Sequence, residues 1–147
     1  MKLCPIGHEL KLLANRFEAA ANKNLMPLGL TTAQAQLLII LNNSTDTLMP
    51  QKKLEKAVGA SQATITGIIS RLNAKKLVAL TRDGEDRRVQ LVAITPEGIA
   101  LCESAFFALR SAETEIFKKL SADELKTFKS LFSRLTIPDN SQANDQD

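Results

Sequence analysis

The spacing of apolar residues predicts a chain made mainly of amphipathic helices. Apolar positions recur at steps of three and four residues, the spacing that places side chains on one helix face. Signals for helix starts agree: Thr31 and Ser121 each precede a Gln or Glu by three residues, a capping box, and Pro50 and Pro96 suit a first helical turn. The predicted helices cover residues 6–17, 32–43, 51–58, 61–76 and 96–120, with a break over residues 22–30, and a last helix follows the Ser121 cap with its apolar positions at residues 125–135.

Between residues 78 and 95 the pattern changes to that of strands. Val78 to Arg82 and Val89 to Thr95 are rich in β-branched and aliphatic residues, and Asp83 to Asp86 forms a turn between them. This arrangement predicts a β-hairpin. The fold class is therefore mainly α with a small β-hairpin wing (α+β), because the order of helix, short helix, tight turn, helix and basic hairpin outlines a winged helix-turn-helix.

Length and composition restrict the class of protein further. With 147 residues and 44% hydrophobic residues, the chain has room for one domain with a buried core. Apolar runs are shorter than the roughly 20 residues of a membrane span, and the N-terminus lacks the order of a signal peptide, so we expect a cytoplasmic protein with no membrane partner. One domain is expected over residues 1–138, followed by a disordered tail over residues 139–147.

The residue types that carry most catalytic and metal chemistry are scarce. Cys4 and Cys102 form no CxxC pair, and His8 is the single histidine. We find no pairing of nucleophile and base, no glycine-rich phosphate loop and no paired carboxylates at a sensible spacing. The sequence therefore predicts neither an enzyme nor a bound metal or cofactor.

The modest net charge of +3 is unevenly distributed. Residues 52–88 hold nine basic and four acidic side chains, a net charge of +5, which leaves −2 for the rest of the chain. A basic centre between mildly acidic ends indicates that one face meets a polyanion.

The helix over residues 61–76 has an unusual outer face. Its apolar stripe is formed by Ile65, Ile68, Ile69 and Leu72, and the opposite side carries small residues, with Gly67 in the middle. A solvated helix face usually carries Lys and Glu, and a mid-helix glycine costs about 1 kcal/mol relative to alanine. Insertion into the DNA major groove favours such a face, and so does ordinary packing against protein on two sides.

The hairpin favours the DNA interpretation. Arg82, Arg87 and Arg88 surround a tight turn, and an arginine at a hairpin tip suits the negative potential of the minor groove. Asp86 is placed to brace Arg88 through a charge-assisted hydrogen bond. Taken alone, the same charges also fit an ordinary exposed turn.

These residues resemble the MarR family of bacterial transcription regulators, and the resemblance covers Leu10 to Leu135. It rests on Leu30-Thr31-x-x-Gln34, on Ser61 to Leu72 followed by Lys76-Leu77-Val78, and on Asp86-Arg87-Arg88 closing with Ile94-Thr95-Pro96-Glu97-Gly98. Leu77 is a departure, because the family often has glycine there, and a tighter or strained turn is expected. The resemblance implies a repressor of a small regulon that binds a palindromic operator in double-stranded DNA as a homodimer.

The predicted winged helix-turn-helix core covers residues 31–95, and residues 5–22 and 96–136 are the predicted dimerisation helices. These end segments carry more apolar surface than a small domain needs, although they can also cover one another within a monomer. The DNA-binding candidates are Ser61, Gln62, Thr64, Thr66, Gly67, Ser70, Arg71, Lys75, Arg82, Asp86, Arg87 and Arg88. A winged-helix module that docks on protein, without sequence-specific DNA binding, is the alternative.

Members of the family commonly respond to a small molecule, to oxidation or to zinc. For a phenolic or other lipophilic effector, the candidate binding residues are Arg16, Phe17, Phe106 and Arg110. Thiol oxidation at Cys4 is an alternative trigger, since a helix N-terminus favours the thiolate. His8 lies four residues from Cys4, but two ligands do not make a zinc site, and Cys102 lies on the apolar face and is interpreted as core.

Overall fold

The computed structural model describes residues 5–137, so Cys4 and the predicted tail lie outside it. The elements in chain order are α1 (Pro5–Leu25), a 3₁₀ turn (Met26–Leu28), α2 (Thr32–Asn43), β1 (Met49–Pro50), α3 (Gln51–Val58), α4 (Gln62–Ala74), β2 (Val78–Arg82), β3 (Gln90–Ile94), α5 (Pro96–Phe117) and α6 (Ala122–Thr136). The chain divides into two compact units, one ending at Glu113 and the other beginning at Thr114. The predicted class, mainly α with a small β-hairpin, is confirmed, and β1 adds a third strand that the sequence pattern did not predict.

Side-chain caps start the helices where the sequence predicted. The Thr31 hydroxyl accepts from the Gln34 N–H, and the Gln34 side chain accepts from the Thr31 N–H, both at 3.3 Å. Ser121 and Glu124 form the same reciprocal pair at the start of α6, at 3.2 and 2.8 Å. These local bonds satisfy N–H groups that a helix start leaves without partners, which is why the boundaries could be predicted.

The first unit has one hydrophobic core, formed by helices α2 to α4 and the sheet together with Leu25 of α1 and with Cys102 and Ala105 of α5. The sheet has the antiparallel order β1-β3-β2, and Val92 of the central strand pairs with Met49 and Leu80. The core is centred on side chains with almost no exposed surface: Leu25, Leu37, Leu38, Leu54, Ile65, Ile69, Leu72, Val78 and Val92. Because the apolar stripe of α4 faces this core, the opposite side of α4 faces outward.

In the second unit, three phenylalanines pack together. The ring centroids of Phe117 and Phe128 are 5.3 Å apart, and those of Phe128 and Phe132 are 5.4 Å apart. Such spacings are typical of favourable aromatic pairs. α5 ends at Phe117 and not at the predicted Leu120, since the Leu120 N–H closes a turn on the Phe117 carbonyl directly before the Ser121 cap.

The predicted break over residues 22–30 begins too early, because α1 continues to Leu25. Ala21 and Leu25 are fully buried, so the apolar face extends beyond Phe17. The Asn22 side-chain carbonyl accepts from both the N–H and the hydroxyl of Thr32, each at 2.8 Å. Tertiary hydrogen bonds thus satisfy the asparagine that the sequence pattern treated as a helix breaker.

The strained position after α4 is Lys76 and not Leu77. Lys76 has φ of 60°, a left-handed conformation that costs a residue with a side chain about 1 to 2 kcal/mol. Its N–H donates to the Asn73 carbonyl at 2.9 Å, and its carbonyl accepts from the Thr95 hydroxyl at 2.8 Å. The expected strain is therefore present one residue earlier, at a position that would suit glycine.

Within the described residues, no single helix has the length and apolar composition of a membrane span. One pair, Pro5–Leu28 with Thr32–Asn43, meets those criteria only when its two members are taken together across a bend of 73°.

Candidate nucleic-acid interface

The outer face of α4 is open surface. Gln62, Thr64, Thr66 and Ser70 are exposed. A Cβ atom added at Gly67 would meet nothing within 4 Å. Among the described residues a side chain at position 67 would therefore meet open space, so packing against another part of this chain does not explain the glycine.

The wing is a tight, internally bonded turn. The Asp83 carboxylate accepts from the N–H groups of Glu85 and Asp86, at 2.8 and 3.4 Å. Backbone bonds from Asp83 N–H to the Val89 carbonyl and from Val89 N–H to the Asp86 carbonyl close the turn. These bonds hold the loop in one shape, with the side chains of Arg82, Arg87 and Arg88 exposed.

Asp86 braces Arg88 as the sequence predicted. The Asp86 carboxylate accepts from Nε and Nη2 of Arg88, at 3.1 and 3.2 Å, and from the Arg88 N–H at 3.1 Å. The Arg88 side chain stays 92% exposed in this pair. Hydrogen bonds from its side chain, and secondarily from its N–H, hold the pKa of Asp86 below the ordinary value of 3.8.

The ion pair between Asp86 and Arg88 should determine the pH at which the Asp86 carboxyl titrates. In Arg88→Ala the pKa of the Asp86 carboxyl should be higher than in the wild type. Protonation of Asp86 in the wild type costs the hydrogen bonds from the Arg88 side chain, and the variant has no such bonds to lose. Since folding lowers the pKa of Asp86, the pair stabilises the wing at neutral pH, and this contribution is lost as pH falls through the folded-state pKa. The carboxyl ¹³C chemical shift of Asp86, followed against pH, measures the midpoint.

Arg87→Ala is the matched control for that titration, because it removes the same charge without touching the hydrogen bonds to Asp86. An equal shift in both variants would mean that the general positive charge of the wing sets the Asp86 pKa. A larger shift in Arg88→Ala supports the specific pair.

A groove of about 390 Å³ lies between helices α3 and α4 and the wing. It brings together four predicted DNA-binding residues, Gln62 and Thr66 on α4 with Arg82 and Arg88 on the wing side. Gln51, Lys52 and Gln90 also line it, and the sequence analysis did not select them. Lys52 could have been selected from the sequence, because it begins the basic segment of residues 52–88. No sequence pattern distinguishes Gln51 or Gln90.

Lys75 differs from the other candidates. Its ammonium donates to the Gly29 carbonyl and to the Gln34 side-chain oxygen, the latter at 3.2 Å. These bonds tie the end of α4 to the loop before α2 and to the start of that helix. Lys75 is therefore placed to position α4, and we leave it out of the proposed DNA contacts. Ser61, likewise, caps α4 by accepting from the Thr64 N–H at 3.3 Å.

The predicted effector residues lie on α1 and α5. Arg16 is exposed and Phe17 half-buried on α1, while Phe106 is 51% exposed on α5 and Arg110 donates to Glu113 at 3.3 Å. Their shared role stays a prediction. Within residues 5–137, no group of three or more His, Cys, Asp or Glu side chains is arranged to hold a metal ion.

Cys102 belongs to the core, as predicted. It is 6% exposed, and its thiol lies 3.4 Å from the Gly98 carbonyl and 3.7 Å from that of Leu38. Burial raises the pKa of the Cys102 thiol, which disfavours the reactive thiolate.

Comparison with known proteins connects this chain with transcription regulation. The MarR family pattern matches residues 28–89. The HTH-type transcriptional repressor NicR of Pseudomonas putida is 33% identical over 119 residues, which are 81% of this chain and 74% of that protein.

Two solved structures share the fold over most of their length. One is a cysteine-to-serine mutant of MarR from Escherichia coli in complex with operator DNA, with a TM-score of 0.81, 25% identity, and coverage of 91% of this chain and 95% of that one. The other is BpsR of Bordetella bronchiseptica, whose DNA binding is regulated by 6-hydroxynicotinic acid, with a TM-score of 0.82, 30% identity, and coverage of 90% and 98%.

Proposed function

Since the chain belongs to the MarR family of DNA-binding transcriptional regulators and is not an enzyme, we propose that it acts as a homodimer on a palindromic operator, with α4 in the major groove and the wing in the minor groove. The observation that carries this proposal is the shared groove, in which the exposed face of α4 meets the arginines of the wing. A basic cleft with short polar side chains suits a helix that approaches base edges while its neighbours bind phosphates.

The proposed contacts divide by chemistry. The polar residues of α4 are assigned to base edges and nearby phosphates, and the wing arginines to the minor groove, with Asp86 and Ser61 positioning their neighbours. The set that touches DNA is Gln62, Thr64, Thr66, Gly67, Ser70, Arg71, Arg82, Arg87 and Arg88. The complex of the similar MarR with operator DNA supports double-stranded DNA as the ligand.

Exposed apolar side chains support the homodimer. In the first unit Ile6 is 68% exposed, and Ile99 and Phe107 are 49% and 65% exposed. In the second unit Leu131 and Leu135 are 52% and 82% exposed. Such residues on the terminal helices fit burial against a second copy. In that dimer the two α4 helices would enter successive major grooves roughly 34 to 36 Å apart.

We assign the effector to the class of small hydroxylated aromatic acids. The aromatic and basic residues Phe106 and Arg110 lie one turn apart on α5, which places an apolar surface beside a partner for a carboxylate. Arg16 and Phe17 offer the same chemistry on α1. The regulation of the similar BpsR by 6-hydroxynicotinic acid supports this class.

Selection from a library of randomised DNA duplexes tests the function directly. We expect a palindromic motif whose half-sites are about 10 bp apart, bound with a salt dependence set by the number of phosphates neutralised. A module that docks on protein would instead bind all duplexes weakly, and that binding would disappear as salt is added. Sedimentation of the protein with its selected duplex gives the number of copies bound.

The effector class is tested with 6-hydroxynicotinic acid as the probe. A ligand that binds the folded state raises the melting temperature. We expect the compound to raise the melting temperature and to release the selected duplex, and both effects should weaken in Arg110→Gln. If wild type and Arg110→Gln respond equally, the assigned role of Arg110 is wrong.

A further inference from the structure

We propose that Gln51 determines base preference at one position of each half-site, by orienting the Thr66 hydroxyl as a hydrogen-bond donor toward an acceptor atom on a DNA base. Gln51 is in this view a positioning residue, since it acts through Thr66. The inference rests on the proposed function and adds a residue of α3 to the recognition of sequence by α4.

The contact joins two helices that are separate in sequence. Gln51 is the first residue of α3, directly after Pro50, and its side chain is half-buried. Its Nε2 donates to the Thr66 hydroxyl oxygen at 2.8 Å. Thr66 is exposed on α4, and both residues line the groove that also holds Arg82 and Arg88.

A carboxylate fixes which end of the Gln51 amide faces Thr66. Nε2 of Gln51 also donates to Oε1 of Glu55 at 3.4 Å, one turn later on α3. A carboxylate only accepts hydrogen bonds, whereas an amide has a donor end and an acceptor end. A flipped Gln51 amide would bring two acceptors together, so Glu55 keeps the NH₂ group in place between the carboxylate and the hydroxyl.

The orientation of the Gln51 amide in turn determines the role of the Thr66 hydroxyl. The Thr66 hydroxyl oxygen accepts from Gln51, and within residues 5–137 this is the hydrogen bond that the Thr66 side chain makes. A hydroxyl has one proton and two lone pairs, and accepting a hydrogen bond on one lone pair strengthens the bond that its own proton donates. In the major groove that proton suits guanine N7 or O6, adenine N7 or thymine O4, and it does not suit the amino groups of adenine or cytosine.

Three substitutions of nearly unchanged size test this inference. Gln51→Met keeps the length of the side chain and removes its amide group. Thr66→Val replaces the hydroxyl by a methyl group of similar size. Gln90→Met makes the same change as Gln51→Met elsewhere in the groove. The readout is the affinity for the duplex selected by the wild type and for its set of single-base variants, at one salt concentration. Melting temperatures are measured for the wild type, for these three variants and for the double variant Gln51→Met/Thr66→Val.

We expect Gln51→Met to reduce the preference at one base pair per half-site about fivefold, as for one hydrogen bond, and to leave the other positions unchanged. Thr66→Val should reduce preference at the same base pair, and the double variant should add no further loss there. Gln90→Met should leave that preference intact.

The outcomes separate this inference from the function on which it rests. Wild-type protein that selects no motif overturns the proposed function, and the inference with it. If the wild type selects a motif but Gln51→Met weakens all duplexes equally or only lowers the melting temperature, Gln51 merely holds α3 against α4 and the inference alone is overturned. Loss of preference at different base pairs in Gln51→Met and Thr66→Val also overturns it.

Discussion

Gly98→Ala is expected to destabilise the fold by about 3 kcal/mol, a large part of the roughly 5 to 15 kcal/mol that stabilises a domain. A Cβ atom at Gly98 would lie 2.3 Å from the Leu77 carbonyl oxygen and 2.8 Å from Cγ1 of Ile94. The Leu77 carbonyl has little freedom to move away, because it accepts from the Thr95 N–H at 3.1 Å. Glycine is required here for close approach between α5 and the chain that leaves α4.

Gly67→Ala is the matched control, because it adds the same methyl group to another helical glycine. Nothing lies within 4 Å of the added atom, so the better helix propensity of alanine should stabilise the protein by about 1 kcal/mol. Urea denaturation followed by circular dichroism measures both free energies of unfolding. If Gly98→Ala were no less stable than Gly67→Ala, the close approach would not be a packing constraint.

Arg88→Ala is expected to weaken operator binding by about 1 to 3 kcal/mol, the usual loss for a groove contact. Two hydrogen bonds to Asp86 hold the guanidinium, so the Arg88 side chain loses little conformational freedom on binding. The same side chain is 92% exposed and therefore accessible to DNA. Because Arg88 and its ion pair with Asp86 lie in an exposed turn, the free energy of unfolding should fall only slightly, and the oligomeric state should stay as in the wild type. Fluorescence anisotropy with the selected duplex, at matched salt, gives the affinity.

Arg134→Ala controls for charge in that measurement. Arg134 lies exposed near the end of α6, outside the predicted winged helix-turn-helix core, and its removal changes the net charge by the same amount. We expect its effect on affinity to be small beside that of Arg88→Ala. Equal effects of the two substitutions would show that Arg88 acts only through long-range charge and makes no contact in a groove.

The parts of the fold that were predicted correctly depend on neighbours in sequence. The capping boxes at Thr31 and Ser121, the bracing of Arg88 by Asp86 and the stripe of α4 all join residues within one or two helical turns. Sequence spacing reports such contacts directly. The same holds for the hairpin, whose turn residues bond to one another.

The parts that were missed depend on contacts between distant segments. Asn22 bonds to Thr32 ten residues later, so a residue typical of breaks lies inside α1. Lys75 bonds back to Gly29, and Gln51 reaches Thr66 across fifteen positions. Periodicity contains no information about these pairs, because they depend on how the helices pack. Gly98 was part of a recognised motif, yet only packing against Leu77 explains why that position needs glycine.

The two-residue strand β1 protects one edge of the sheet against aggregation. It forms an outer strand beside β3 and ends on Pro50, which has no N–H group. A strand from another molecule would find at most the single N–H of Met49 along this edge, too little to extend the ladder. A sheet can therefore line the groove between α4 and the wing without serving as a template for strand addition at β1.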